Sequence, residues 1–201
     1  MKKNCTASNL YESLEHCKGE TVLPGLRPVV LGVPKSQIVT YPKLPSVDAE
    51  DATMEGIATY EGTFVLAADA VFHHVDILTT ASSLKTESQG EHPSKTFLVT
   101  LTGKYPGNNA AAAGYARLAN SDDMLYIAQQ RDGKFRVVGN ESFETDVKVS
   151  QESGMSVTDA SGTTMEISCT DIAPAPFFAG TIKTDRGNLD CSTGEYEAAG
   201  T

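Results

Sequence analysis

The stretch MLYIAQQRDGKFRVVGN, Met124 to Asn140, restricts the fold more than any other part of the sequence. Two runs rich in β-branched and aromatic residues flank Asp132-Gly133. Glycine tolerates the positive φ that a tight type I′ turn demands, so the segment is predicted to form a β-hairpin. Neighbouring segments supply partner strands. KTFLVTLTGKY sets Phe97, Val99 and Leu101 on one face, with Lys95, Thr100 and Thr102 among the polar positions, the alternation of a half-buried strand. GIATYEGTFVLA and VFHHVDILTT mix the same alternation with aromatic residues. DVKVSQESGMSVTDASGTTMEISCTD reads as a second hairpin around Asp159 to Gly162, and FFAGTIKTD as a last strand before a weakly structured end.

One helix interrupts the strands. In PGNNAAAAGYARLANSDD, residues Ala111, Ala112, Tyr115, Leu118 and Ala119 form one apolar stripe, Asn108 or Asn109 caps the start, and the alanine run has high intrinsic propensity. A shorter helical stretch of one or two turns is expected in NLYESLEHC, where Leu10 and Leu14 follow Ser8.

Two segments read as irregular. Val22 to Pro45 contains Pro24, Pro28, Pro34, Pro42 and Pro45. Each proline removes a backbone donor and biases its predecessor toward extended geometry, which argues against a helix or a central strand. An extended arm is expected, packed on its own core or on a neighbouring molecule. Thr79 to Pro93 is polar and without periodicity, a long loop of the functional or mobile kind. The order of elements predicts a mainly β protein: an antiparallel β-sandwich or barrel with one flanking α-helix and an extended Pro-rich N-terminal arm. The chain divides into a short helix and arm over residues 1–50, a β domain over 51–186 and a tail over 187–201.

Composition narrows the function classes. Sixteen basic against twenty-six acidic residues give a formal net charge of −10, a field that repels nucleic acid and anionic membrane. No run is long and apolar enough to span a membrane, so no membrane anchor is expected. MKKNC is followed by polar residues and not by a secretory core, and the spacing of Cys5, Cys17, Cys169 and Cys191 contains no zinc knuckle. Reduced, structural thiols in a cytoplasmically made protein are the expectation.

Gln89 to Thr96, QGEHPSKT, approaches the phosphate-binding pattern G-x-x-x-x-G-K-[ST], but Ser94 replaces the second glycine, Pro93 deletes an amide, and Thr96 opens a strand instead of a helix. His73 and His74 point to opposite faces of a strand and do not chelate one ion together; Asp76 shares a face with His74 but two ligands do not make a site. Cys17 beside His16 is an adjacency of diverging side chains. Glu50-Asp51 and Asp122-Asp123 read as solvating pairs. No catalytic, cofactor-binding or metal-binding residue is assigned, and an enzyme is not expected.

The run from about Met54 to Asp185 resembles the tail tube (major tail) proteins of tailed bacteriophages. The resemblance is carried by the strand pair, the polar stretch TTASSLKTESQGEHPSKTF, the helix AAAAGYARLAN, the hairpin MLYIAQQRDGKFRVVGN, SGTTMEISCTD with its continuation DIAPAPFF, and the strand AGTI. It implies a virion structural protein without enzymatic activity. Such β-sandwiches form hexameric rings whose inner strands join into one barrel, and the stacked rings make a conduit for DNA that passes without specific binding. It also implies self-contacts between rings, through the Val22–Pro45 arm and the Thr79–Pro93 loop, contacts with other tail proteins, and a place in the virion tail after synthesis in the host cytoplasm. A head–tail completion or capsid-decorating protein, and a β-sandwich binding module, are the alternatives.

Overall fold

The computed structural model describes residues 10–156 and 161–197. In chain order the strands are β1 (Leu26–Pro34), β2 (Ile38–Thr40), β3 (Thr59–Tyr60), β4 (Val65–Leu66), β5 (His73–Asp76), β6 (Ser83–Gln89) and β7 (Thr96–Tyr105). Helix α1 (Ala110–Ala119) precedes β8 (Met124–Gln130), β9 (Phe135–Val138), β10 (Thr145–Glu152), β11 (Gly162–Asp171), β12 (Phe177–Phe178), β13 (Thr181–Thr184), β14 (Gly187–Asp190) and β15 (Glu195–Glu197). The protein is mainly β with several sheets, none closed into a barrel. A six-stranded sheet runs β3-β12-β9-β8-β1-β5, a four-stranded sheet β10-β11-β7-β6, and a three-stranded sheet β13-β14-β15, while β2 pairs with β4.

The six-stranded sheet is the central layer, because its strands feed two separate cores. Val30 of β1, with Met124, Tyr126 and Ala128 of β8, packs against Val99 and Leu101 of β7, Val147 of β10, and Met165, Ile167 and Cys169 of β11. Leu31 and Val33, with Leu125, Ile127, Phe135 and Val137, face the other way, onto Phe64, Phe72, Phe178, Ile182, Leu189 and Cys191. In this second core the Phe64 ring lies edge-on to Phe72 at 5.9 Å and tilted against Phe178 at 5.2 Å. Burial of each phenylalanine contributes roughly 1.5–3 kcal/mol.

The expected Val22–Pro45 arm is corrected by this arrangement. Leu26–Pro34 is β1, a central strand lying between β8 and β5. Its prolines are placed where a missing N–H does little harm: Pro28 falls in the register shift between Leu26 and Val30, and Pro34 is the last residue. Between them VVLGV is buried on both faces, so it reads as an unbroken apolar run instead of an alternating one. Gly32 is required there, since a Cβ would meet the Tyr126 ring at 2.9 Å.

Other expectations change as well. The supposed Thr79–Pro93 loop contains β6, paired with β7 from Ser83↔Thr102 to Gln89↔Thr96; Leu84 and Thr86 oppose Leu101 and Val99, an alternation hidden by polar residues. No helix forms at Leu10 to Cys17, where Tyr11 and Leu14 are exposed; Ser8 lies outside the described residues. The tail over 187–201 carries β14 and β15, with Leu189 and Cys191 buried.

The hairpin of β8 and β9 forms as expected, with a different turn. Gly133 N–H donates to the Gln130 carbonyl and Gln130 N–H to the Lys134 carbonyl, and Gly133 alone takes positive φ (96°), which is a type I turn closed by a glycine bulge. β10 and β11 pair as the second hairpin; residues 157–160 of its turn lie outside the described residues. Asn109 caps α1 by accepting from Ala112 N–H at 2.8 Å. The buried stripe is rotated by about one residue from the expected one: Ala112, Tyr115, Ala116 and Ala119 face inward, while Leu118 is exposed.

Candidate functional site

The four-stranded sheet has one face in the core and one in water, and its register sorts the side chains cleanly. Val99, Leu101, Val147, Met165 and Ile167 point into the core. The opposite face carries rows of polar residues: Asp146, Ser168, Thr100 and Lys85 stand in one row, and Lys148, Glu166, Thr102 and Ser83 in the next. Beyond these lie Ser150, Thr164 and Lys104 on one side, and Thr170, the apolar Leu98 and Glu87 on the other. Lys85 pairs with Glu87 at 2.8 Å and Lys148 with Asp146 at 3.4 Å, both in solvent. Exposed pairs of this kind contribute at most about 1 kcal/mol, yet each places a carboxylate beside a lysine.

The edges of this sheet are β6 and β10, and among the described residues no strand pairs with the outer side of either. Both are long for edge strands. Natural sheets blunt such edges or use them for pairing with another chain. The sequence signal for this surface was the alternating Ser, Thr and charged positions of TFLVTLTGK, TDVKVSQE and TTMEISCTD.

Elsewhere, polar clusters hold layers together. The His74 ring is almost fully buried; Nδ1 bonds Asp185 Oδ1, and Nε2 lies 2.6 Å from the Tyr196 hydroxyl. This ties β5 to the three-stranded sheet. Burial raises the Asp185 pKa, but its hydrogen bond to His74 and the charges of His74 and Arg186 outweigh that, leaving it below the ordinary carboxylate value. Tyr196 is held above its ordinary value, first by burial. Sequence reasoning placed His73 and His74 on opposite faces, as found, but missed Asp185 and Tyr196, which lie far along the chain. Asp76 is exposed. Among the described residues no three His, Cys, Asp or Glu side chains are grouped to hold a metal ion.

Asp123, read from sequence as a solvating acid, is a structural anchor. Its carboxylate accepts from Lys35 Nζ at 2.7 Å and from Thr145 N–H at 2.9 Å, and Lys35 Nζ also donates to the Phe143 carbonyl at 2.6 Å. Asp171, buried, accepts from Asn140 Nδ2 at 3.0 Å and from the N–H groups of Ile172 and Ala173; burial pushes its pKa up, and these bonds counter it in part. Cys169 and Cys191 are free thiols in opposite cores, raised by burial, Cys191 to about 12. Cys17 is exposed, with His16 turned to Glu20 at 3.6 Å; Cys5 lies outside the described residues.

Gln89 to Thr96 joins β6 to β7, with Lys95 exposed and Thr96 starting a strand, so no helix N-terminus stands behind the lysine. A cavity of about 240 Å³ between α1 and the strands is lined largely by Val75, Tyr105, Ala112, Tyr115 and Met165. Among the described residues no helix is long and apolar enough to cross a membrane. Compared with known families, curated proteins and solved structures, the chain finds no match.

Proposed function

We propose that this chain is a tail tube protein: a structural component of a bacteriophage virion that assembles into stacked rings of six copies and forms a conduit for DNA. One observation carries the reading. A four-stranded antiparallel sheet is packed on one face, polar on the other, and open along both edge strands. A sheet of that kind is incomplete in one molecule, and a closed ring of copies removes every edge. Its polar face then lines the bore. A conduit must not hold what passes through it, and the carboxylates beside Lys85 and Lys148, with a net charge of −10, oppose the counterion release that drives phosphate binding.

The strand β1 lends no support to an inter-ring role for the Leu26–Pro34 part of the arm, because that part completes its own sheet. Contacts between rings are left to the rest of the arm and to residues 79–82 and 90–93 on either side of β6. Negative-stain microscopy and sedimentation velocity of the purified protein over rising concentration test the reading. Hollow filaments or stacked rings are expected. A strict monomer at every concentration overturns it, and isolated trimers point to a capsid-decorating role.

A further inference from the structure

The open edges specify how two copies fit. We infer that β6 of one molecule pairs antiparallel with β10 of the next in a single register, with Glu87 opposite Lys148 and Lys85 opposite Ser150; this rests on the tube reading above.

Strand direction comes first. Neighbours in β10-β11-β7-β6 are all antiparallel, so β6 runs opposite to β10. In a ring every copy of β10 points the same way, and the new junction is therefore antiparallel too. An even number of alternating strands continues from copy to copy without a parallel fault.

Parity comes next. Lys104 N–H donates to Ser82 Oγ at 3.1 Å, and its carbonyl accepts from Leu78 N–H at 2.8 Å, so the backbone of Lys104 faces the β6 side. By alternation Thr102 and Thr100 do the same, which leaves Leu84, Thr86 and Ser88 with backbone groups directed off the β6 edge. Carried across β7 and β11, the same alternation leaves Thr145, Val147, Val149 and Gln151 free along β10. Joining these sets while keeping polar side chains on one face permits only registers that differ by two residues.

Charge and strand overlap then separate those registers. With Glu87 opposite Lys148, the other pairs on the wet face are Ser83 with Glu152, Lys85 with Ser150, and Gln89 with Asp146: one attraction and no like-charge pair. Sliding one way by two residues sets Lys85 against Lys148 and Glu87 against Asp146, which is repulsive twice over. Sliding the other way keeps Lys85 near Glu152 but shortens the overlap.

Closure agrees. A row leaves Asp146, crosses Ser168 and Thr100 to Lys85, and in the inferred register enters the next copy at Ser150. The advance of four residues per four strands tilts the strands by about 35°, within the range of closed barrels, and it makes shear equal to strand number, as in eight-stranded α/β barrels. The hand is also right. With Lys104 pointing its side chain to the polar face and its N–H to β6, the chirality of an L-residue puts β6 to the right of an upward β7 seen from the bore; the advance then climbs in the sense that right-handed twist requires. Six such sheets make roughly 24 strands and a backbone diameter of about 45 Å, leaving a bore wide enough for a duplex.

Cysteine pairs in the full chain, with Cys5→Ser and Cys17→Ser to remove background, test the register. Residues 85 and 150 face each other as a close, non-hydrogen-bonded pair, so Lys85→Cys with Ser150→Cys is expected to give a head-to-tail ladder on a non-reducing gel after mild oxidation of the assembled protein. Lys85→Cys with Lys148→Cys, and Lys85→Cys with Glu152→Cys, are expected to stay uncrosslinked. If the protein assembles but one of these other pairs forms the ladder, the register is overturned and the tube reading survives. If no pair crosslinks and the protein stays monomeric, both fall. Independently, Glu87→Lys is expected to raise the concentration needed for assembly by about fivefold and Glu87→Lys with Lys148→Glu to restore it. Unchanged circular dichroism of the monomers confirms that folding is intact, and equal defects in the single and double variants count against the pairing.

Discussion

The six-stranded and four-stranded sheets meet across one core, yet they are finished differently. In the central sheet β1, β8 and β9 are buried on both faces, and its edges are the short β3 and β5. A register slip there would carry charged or bulky groups into a core on one side or the other, so the molecule fixes this sheet by itself. The four-stranded sheet is fixed on one face only and ends in two long open strands. The first sheet is held between two cores and ends in short strands; the second is held against one core and ends in long strands with no partner among the described residues.

Substitutions that separate the two sheets sharpen the comparison. The largest effect is expected from Phe72→Ala, beneath the central sheet: a loss of about 3–5 kcal/mol in unfolding free energy by denaturant titration, from lost transfer and an unfilled cavity. A cost under about 1 kcal/mol would show that the second core is not well packed. Next comes Lys35→Met, which takes the Lys35 donor from the Phe143 carbonyl and leaves the Asp123 carboxylate only Thr145 N–H; about 1–3 kcal/mol is expected in the same titration.

A pH titration probes the seam between β5 and the three-stranded sheet. Asp185 has its folded pKa lowered, so its contribution is present above the unfolded carboxylate value and is lost as pH falls through the folded one. Acid scans of thermal stability are expected to show this loss below about pH 4, and Asp185→Asn to lack it. An identical acid dependence in wild type and variant would dissolve the seam as described.

The smallest effect on the isolated molecule is expected from Thr102→Ala, on the wet face of β7: within about 0.5 kcal/mol in monomer unfolding. A loss as large as that of Phe72→Ala would mean the two sheets are not finished differently after all.

Much of this was legible locally. The Asp132-Gly133 hairpin, the paired strands β10 and β11, the alternation of β7 and the Asn109-capped helix each depend on residues close in sequence, where turn chemistry and period decide the outcome. The polar rows of the candidate surface were visible only strand by strand; their alignment into one face needed the pairing of β10 with β11, β11 with β7, and β7 with β6. The sequence hides β6 because its inward positions hold only Leu84 and Thr86 as clear partners for β7, and partner strands are set by distant contacts.

By itself, then, the sequence determined a mainly β chain with one capped helix, a tight hairpin and a strongly negative charge, since propensity, periodicity and charge are properties of neighbouring residues. Tertiary structure alone decided that a proline-bearing segment becomes a central strand, that His74 meets Asp185 and Tyr196, and that two long strands end a sheet. Those outcomes depend on which distant segments share a core, and a proline is tolerated in a strand only where a bulge or a strand end removes the demand for its missing amide hydrogen.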